Sequence, residues 1–346
     1  MWHARLAGRG ALTVTGHDAS SFLNSLATNK LATASSTYAA FLNAQGRIIA
    51  TAFVNPQPNQ TQQPNFILDT HIHATEILQR HLNRYKLGAD VQIRNVSDQF
   101  FTLVALGNQP HEPEAGPVLL DAHGVESKMW KDPRLTCLGW RATVDSSSDF
   151  IVRDSEEAPP ALYDLCTALL GVGDGPVEMP PGDAFPMESN LERLGGVSFS
   201  KGCYVGQELT ARTHFRGVTR KRLTPLIQSC ERQEDVSTSS CVLDRPFVVN
   251  AVAHLPAEER LLVDRLSSNK RGEIVLPSLP VASEDTVLSD KDGATIGKLR
   301  YFDKASGIGL ALMRLDSKRG LPFACGSIFS AVGGTMDPVR PSWWPS

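Results

Sequence analysis

The residues with the most chemistry to offer lie between Ser200 and Arg212, in the run SKGCYVGQELTAR. Cys203 stands there between a Lys201-Gly202 step and, after Tyr204, the turn Gly206-Gln207-Glu208. Glycines on both sides of a cysteine suit a turn that presents the thiol rather than packing it. Lys201 precedes it and Arg212, His214, Arg216 and Arg220 follow, and nearby cations favour thiolate, the form that acts as nucleophile or metal ligand.

Three readings of Cys203 stand open. A structural cysteine in a tight turn is the simplest. A nucleophile needs a histidine base and an orienting third group, and His214 is the only nearby histidine, without a cysteine-hydrolase signature around it. A metal ligand is alone here, whereas an iron-sulfur cluster normally takes four protein ligands, so this reading requires coordination shared with a partner protein or a small thiol.

Glu188 and Glu208 each carry two readings. A carboxylate beside a concave centre accepts a pair of hydrogen bonds from an amino-pyrimidine edge. Alternatively, Glu188 starts a helix and Glu208 caps one or pairs with Arg212 four residues on. The basic run reads as a solvated face, or as a docking surface for an acidic partner or an anionic cofactor tail. His71, His73 and His81 lie close in sequence, but positions two apart point apart on a helix, which favours surface or capping roles over metal binding. The glycine run Gly171 to Pro176 follows a helix and is blocked by proline, unlike a phosphate-binding loop.

These residues need a scaffold, and the hydrophobic pattern supplies it. Leu12 and Val14 mark a strand. Asp18 is a candidate N-cap for a helix over Ala19–Ala27 that buries Phe22, Leu23 and Leu26. Tyr38–Leu42 and Ile48–Val54 read as strands around the polar turn Asn43 to Gly46. After a loop at Asn55–Asn65 come a strand at Phe66–Asp69, a helix over Thr70–Tyr85, and strands at Val91–Val96, Phe100–Leu106 and Leu135–Val144. A helix at Ala161–Leu170 precedes the cysteine run. Beyond Thr224 the chain turns to strands, at Leu226-Ile227, Phe247–Val252, Ile296–Phe302, Gly307–Met313 and Ile328–Val332, which predicts a small β-barrel with a polar insertion near 229–273.

At 346 residues, 41% hydrophobic and 21% charged, the chain has the composition of a globular protein of two or three domains. No run approaches the roughly 18 apolar residues of a membrane span. A net charge of -3 argues against broad nucleic-acid binding. Six cysteines without a CxxC pair favour reduced thiols in a reducing compartment. The N-terminal run MWHARLAGRGALTV enters strand-like alternation without an apolar signal core, so no targeting peptide is expected within it.

KGCYVGQE resembles the K-G-C-aromatic-x-G-Q-E signature of the YgfZ-like branch of the glycine-cleavage T-protein superfamily, a branch that includes mitochondrial iron-sulfur cluster assembly factors. FLNSLATNKL, YAAFLNAQGRIIATAFV, FPMESNLERLGGVSFSKGCYVGQELTAR and IGKLRYFDKASGIGLALMR are similar to further family segments. The resemblance implies an α+β, three-domain ring: a first domain split over 1–55 and 146–224, a second inserted at 56–145, and a C-terminal β-barrel over 225–346. The polar insertion favours the mitochondrial, eukaryotic branch, hence the matrix. The resemblance also implies that A-type carrier proteins and client apoproteins are the partners, as in maturation of aconitase and lipoate synthase. The isolated chain would be a monomer, and Cys203 would supply a thiolate to a [2Fe-2S] cluster shared in a cluster-dependent heterodimer on the way to [4Fe-4S] proteins. Glu188 falls where the superfamily's folate-contacting glutamate lies, which keeps a tetrahydrofolate-dependent one-carbon transferase, linked to RNA modification, as the alternative. The aminomethyltransferases carry an Asp-Asp pair where this chain has Ala50-Thr51, and without a carboxylate there glycine-cleavage chemistry is in doubt.

Overall fold

A computed structural model describes residues 1–57, 64–107, 117–121, 126–228, 241–244, 273–276, 287–289, 293–303, 307–315, 328–330 and 335–344. The chain divides into two units. Met1–Ala158, Asp174–Met187 and Leu191–Gly217 form the first, and Pro159–Gly173, Glu188–Asn190 and Val218–Ser346 the second.

The first unit opens with β1 (Trp2–Leu6), β2 (Arg9–Thr15), α1 (Ala19–Leu26), β3 (Thr37–Leu42), β4 (Ile48–Pro56) and β5 (Asn65–His71). It continues with α2 (Ile72–Lys86), β6 (Gln92–Asn95), β7 (Phe100–Leu106), β8 (Leu119–Asp121), β9 (Glu126–Ser127) and β10 (Trp130–Lys131). A short 3-10 turn over Thr136–Leu138 leads into β11 (Trp140–Asp145), β12 (Phe150–Val152) and β13 (Glu156–Glu157). Two five-stranded sheets result, ordered β3-β4-β5-β2-β6 and β10-β11-β7-β1-β13, beside a small β12-β8-β9 sheet.

Helix α1 buries Phe22, Leu23 and Leu26 against Leu12, Val14, Phe41 and Leu68 of the first sheet, with Leu78 and Leu82 of α2 in the same core. This is the apolar stripe expected of a half-buried helix. Asp18 takes the N-cap position without capping. Its carboxylate instead accepts the Asp90 backbone N–H at 2.9 Å, a bond that holds its pKa below the usual carboxylate range. Helix α2 starts two residues later than its periodicity suggests, because Thr70 and His71 pair with Gly10 and Arg9 as strand residues. His71 caps α2, its Nδ1 accepting the His73 N–H at 3.2 Å. The strand expected over Leu135–Val144 starts only at Trp140, since Gly139, at φ 65, turns the chain at a place where a Cβ would strike the Ala105 carbonyl.

Between the two five-stranded sheets lies a buried ionic cluster. Arg9 on β2 donates from Nε to Asp69 on β5 at 2.7 Å, and Arg141 on β11 reaches the other oxygen of that carboxylate at 2.9 Å. Arg134 pairs with Asp132 at 2.8 Å, and Asp174 lies 3.1 Å from Arg9 and 3.5 Å from Arg134. The three guanidinium groups gather over the ring of Phe53, at 3.9 Å for Arg141, 4.7 Å for Arg134 and 5.7 Å for Arg9. Burial pushes Asp174 up, but the three arginines outweigh it and leave its pKa below the ordinary value.

In the second unit α3 (Pro160–Leu169) ends in a Schellman turn, with Gly171 N–H on the Ala168 carbonyl and Val172 N–H on that of Thr167. The glycine run therefore begins as a helix stop. The first unit resumes with α4 (Gln207–Arg216), and the second then adds β14 (Lys221–Gln228), β15 (Cys241–Asp244), β16 (Glu273–Leu276), β17 (Val287–Ser289), β18 (Thr295–Asp303), β19 (Ile308–Arg314), β20 (Ile328–Ser330) and β21 (Thr335–Pro338). Strands β14-β19-β18-β17-β20-β21 close into a barrel around Leu226, Leu288, Leu299, Met313 and Met336. Most of the expected polar insertion, including the strand at Phe247–Val252, lies outside the described residues, as do Ala331 and Val332.

Removing one acid from the ionic cluster leaves buried arginines short of a counter-charge. Asp69→Ala is expected to cost about 3–5 kcal/mol of stability, read as a lower denaturant midpoint, and a variant as stable as wild type would show that the cluster contributes nothing net.

Candidate functional site

The cysteine run forms a loop fixed at several points, all within the first unit. At its start Phe199 lies flat on His214 of α4, ring centroids 3.6 Å apart and planes 11° apart. Two residues on, the Lys201 ammonium donates to the carbonyls of Asn24, Ala27 and Asn29 at 2.6, 2.5 and 3.2 Å. These carbonyls close the C-terminal end of α1, where a cation meets the negative end of the helix dipole. Burial pulls the Lys201 pKa down to about 8, while three carbonyls match the three protons of its charged form.

Tyr204 is buried, with the Lys201 ammonium 5.0 Å above its ring. Burial pushes its phenol up to about 12. Val205 N–H reaches the Ser25 carbonyl at 3.2 Å. Gly206 then turns the chain at φ 78 and serves as the N-cap of α4. It lies against the β3-β4 turn, where Asn43 Oδ1 accepts the N–H groups of Gln45 at 3.0 Å and Arg47 at 2.9 Å. A Cβ on Gly206 would strike the Asn43 carbonyl, and one on Gly46 would come within 3.0 Å of the Gly206 carbonyl. Between these anchors Gly202 and Cys203 are exposed. Backbone and ammonium contacts thus hold the loop from beneath and leave the thiol in solvent.

The remaining candidates divide. Gln207 is half-buried at the start of α4, and Glu208 is exposed in its first turn. The Glu208-Arg212 ion pair that four-residue spacing allows does not form. Arg212, His214 and Arg216 are exposed on α4. Arg220 is exposed on the second unit, and Arg222, part of the same sequence run, is buried with Nη1 donating to Asn190 Oδ1 at 3.0 Å. Arg222 therefore does not belong to an exposed basic face. Glu188 also lies in the second unit, half-buried, its carbonyl accepting the Leu223 N–H at 2.7 Å. Beside it Asn190 sits fully buried at φ 63 and donates to the Leu223 carbonyl at 2.8 Å.

Cys166 is buried, Cys137 half-buried and Cys203 exposed, and none of the three is in a disulfide. Cys230 and Cys325 lie outside the described residues. Among the described residues no three His, Cys, Asp or Glu side chains are grouped to hold a metal ion. No described helix is long and apolar enough to cross a membrane.

Ala50 and Thr51 line a small cavity with Ile48, His71, Gly175 and Met179. Of the titratable groups here, the sequence points to His71 only as a surface or capping histidine, and not to Glu178. A Cβ on Gly175 would stand 3.2 Å from His71 Nε2 and 3.3 Å from Glu178 Oε2, so an imidazole and a carboxyl converge on a glycine. Burial pulls His71 down to about 4, with Arg9 adding to it. Burial also pushes Glu178 up to about 7, helped by the Asp174 carboxylate. The only sequence signal for this region is a set of charges inside apolar strands, Asp69 in FILDT and Arg141 in WRATV.

A carboxyl raised in the folded state binds more protons there than in the unfolded chain, so its stabilisation is present below the unfolded pKa of 4.5 and lost as pH rises through about 7. Wild type should therefore lose stability relative to Glu178→Gln across that window and level off above it. Thermal midpoints of both proteins from pH 4.5 to 7.5 check this, and His71, which acts in the opposite sense, cancels in the difference; a flat difference would refute the shift. Gly206→Ala should cost about 2 kcal/mol or more, since left-handed backbone alone costs about 1–2 kcal/mol for a residue with a Cβ. Denaturant unfolding reads this directly, and wild-type stability would show that the Gly206-Asn43 contact yields.

Residues 220–346 match the family described as CAF17, C-terminal beta-barrel domain. The Mus musculus protein named iron-sulfur cluster assembly factor IBA57, mitochondrial, is 36% identical over 354 residues, spanning 99% of this chain and 85% of its own. The Mycosarcoma maydis homolog of that name is 30% identical over 372 residues, spanning 99% and 84%. Among solved structures, the glycine cleavage system aminomethyltransferase T from Bartonella henselae superposes with a TM-score of 0.61 at 12% identity, covering 99% of this chain and 86% of that one. The fold is thus the α+β fold of the glycine-cleavage T-protein with a C-terminal β-barrel. Identity at this level along nearly the whole length places the chain in the family of mitochondrial iron-sulfur cluster assembly factors called IBA57.

Proposed function

We propose that this protein assists iron-sulfur cluster assembly in the mitochondrial matrix by lending Cys203 to a [2Fe-2S] cluster that an A-type carrier protein holds with its own ligands, before a [4Fe-4S] cluster is built for client apoproteins. The cluster is cargo, shared and then released. The observation that carries this reading is the exposed Cys203 thiol on a loop whose neighbours are fixed by Lys201, Tyr204, Val205 and Gly206. Such a loop keeps the thiol at the surface without reorganisation, which lowers the entropic cost of sharing a ligand. A single thiolate leaves the other ligands of a four-ligand cluster to be supplied by the partner. In this reading Lys201 holds the loop, and Gly202 gives the partner's ligands room beside the thiol.

The tetrahydrofolate-dependent alternative draws on the fold and on Glu188. Ala50 and Thr51, 5% and 8% exposed on β4, offer no carboxylate at the place where the aminomethyltransferases carry their aspartates. Without it, the transfer step lacks its proton acceptor, which favours the assembly role.

Anaerobic titration of this protein with its cluster-loaded carrier, followed by visible circular dichroism and size-exclusion chromatography, is expected to give a heterodimer that depends on the cluster and is lost in Cys203→Ala. An equally stable cluster-bridged heterodimer with Cys203→Ala would rule out the ligand role. Tetrahydrofolate binding by calorimetry, weakened in Glu188→Ala, would instead support the alternative.

A further inference from the structure

Phe215 is 68% exposed, whereas the other phenylalanines with described side chains are all buried or half-buried. It is not a loose surface ring. It meets His214 edge-on, centroids 4.8 Å apart, and Phe199 edge-on at 6.1 Å, while those two rings stack on each other. Three rings thus hold one another, Phe199 half-buried and His214 and Phe215 exposed. Arg212 and Arg216 stand three residues before it and one after, on the same side of α4 as Phe215 at i, i+3 and i+4. Both are exposed, and among the described residues neither makes an ion pair, even with Glu208.

The same elements fix where Cys203 lies relative to this face. Phe199 is pinned to the last turn of α4 and Gly206 begins its first turn, so the intervening loop runs back along the helix. Cys203 is three residues from Gly206 and four from Phe199, which keeps it within roughly 11–14 Å of both ends of a helix about 15 Å long. A protein that brings ligands to Cys203 therefore has α4 within reach.

We propose that this face of α4, Arg212, Phe215 and Arg216 with the Phe199-His214 stack behind them, is the docking surface for the carrier protein, and that the carrier meets it with an acidic surface around an apolar hollow. The proposal rests on the reading of Cys203 given above. A fixed aromatic ring flanked by arginines is the composition of an interface hot spot, and its pre-ordering lowers the cost of association. The unpaired arginines set the partner's charge. A single-stranded RNA also stacks on rings between arginines, but Glu208 on the same stripe and a net charge of -3 oppose a phosphate backbone, so a protein partner is favoured.

The test uses the full chain, its cluster-loaded carrier and a single-stranded RNA oligonucleotide, with Phe215→Ser, Arg212→Glu and Cys203→Ala compared with wild type by anaerobic calorimetry at low and physiological salt. Phe215 is exposed, so the thermal midpoint of Phe215→Ser should match wild type. Expected are a carrier affinity lowered about tenfold or more by Phe215→Ser and by Arg212→Glu, with a shallower salt dependence for the latter. If both bind the carrier within twofold of wild type while Cys203→Ala loses the cluster-bridged complex, the docking surface is wrong and the ligand reading stands. If Cys203→Ala keeps the cluster bridge while Phe215→Ser weakens binding, the surface stands and the ligand reading falls. RNA binding that Phe215→Ser abolishes, with carrier affinity unchanged, overturns the proposal in favour of a nucleic-acid face.

Discussion

Three arginines and three aspartates, all buried but the half-buried Asp174, tie together the two five-stranded sheets of the first unit. Arg9 and Asp69 come from the sheet that carries α1 and the β3-β4 turn, whereas Arg141 comes from the other sheet. A buried ion pair adds little net stability, because desolvation offsets attraction, but it tolerates few alternatives, since a misplaced partner leaves a bare charge. The cluster therefore fixes how the two sheets meet. The β3-β4 turn, positioned by that arrangement, is the surface on which Gly206 rests.

From there the cysteine loop follows as a consequence of geometry. Gly206 and Gly46 touch through backbone, the Lys201 ammonium closes the carbonyl end of α1, and Phe199 closes the loop on α4. Each anchor uses a residue type with no equivalent replacement: a glycine where a Cβ collides, a cation long enough to reach three carbonyls, a flat ring on a flat ring. The thiol itself makes none of these contacts. A signature that looks chemical is mostly structural, with one reactive atom at its apex.

The balance of roles in the motif differs from what residue types suggest. Lys201 beside a cysteine invites an electrostatic role on the thiol, yet its ammonium is committed to α1. The basic run reads as one patch, yet Arg222 turns inward to Asn190. Asp18 reads as an N-cap and instead accepts from Asp90. In each case a side chain long or polar enough for two partners took the one that tertiary packing brought close.

What the sequence determined by itself is what depends on local periodicity and on residues without substitutes: α1 and α2 from their apolar stripes, the Asn43 to Gly46 hairpin, the barrel strands β14, β18, β19 and β20 but not β17 or β21, and the exposure of Cys203 between two glycines. Tertiary structure alone decided what depends on distant partners. Asp69, Asp132, Arg134, Arg141 and Asp174 are scattered over more than a hundred residues, and no spacing rule connects them. The convergence of His71 and Glu178 on Gly175, and the bare Phe215 held by its two neighbours, are likewise set by packing. Local pattern reports which face of an element is buried, whereas the pairing of buried charges and the orientation of exposed rings depend on contacts that exist only once the sheets have met.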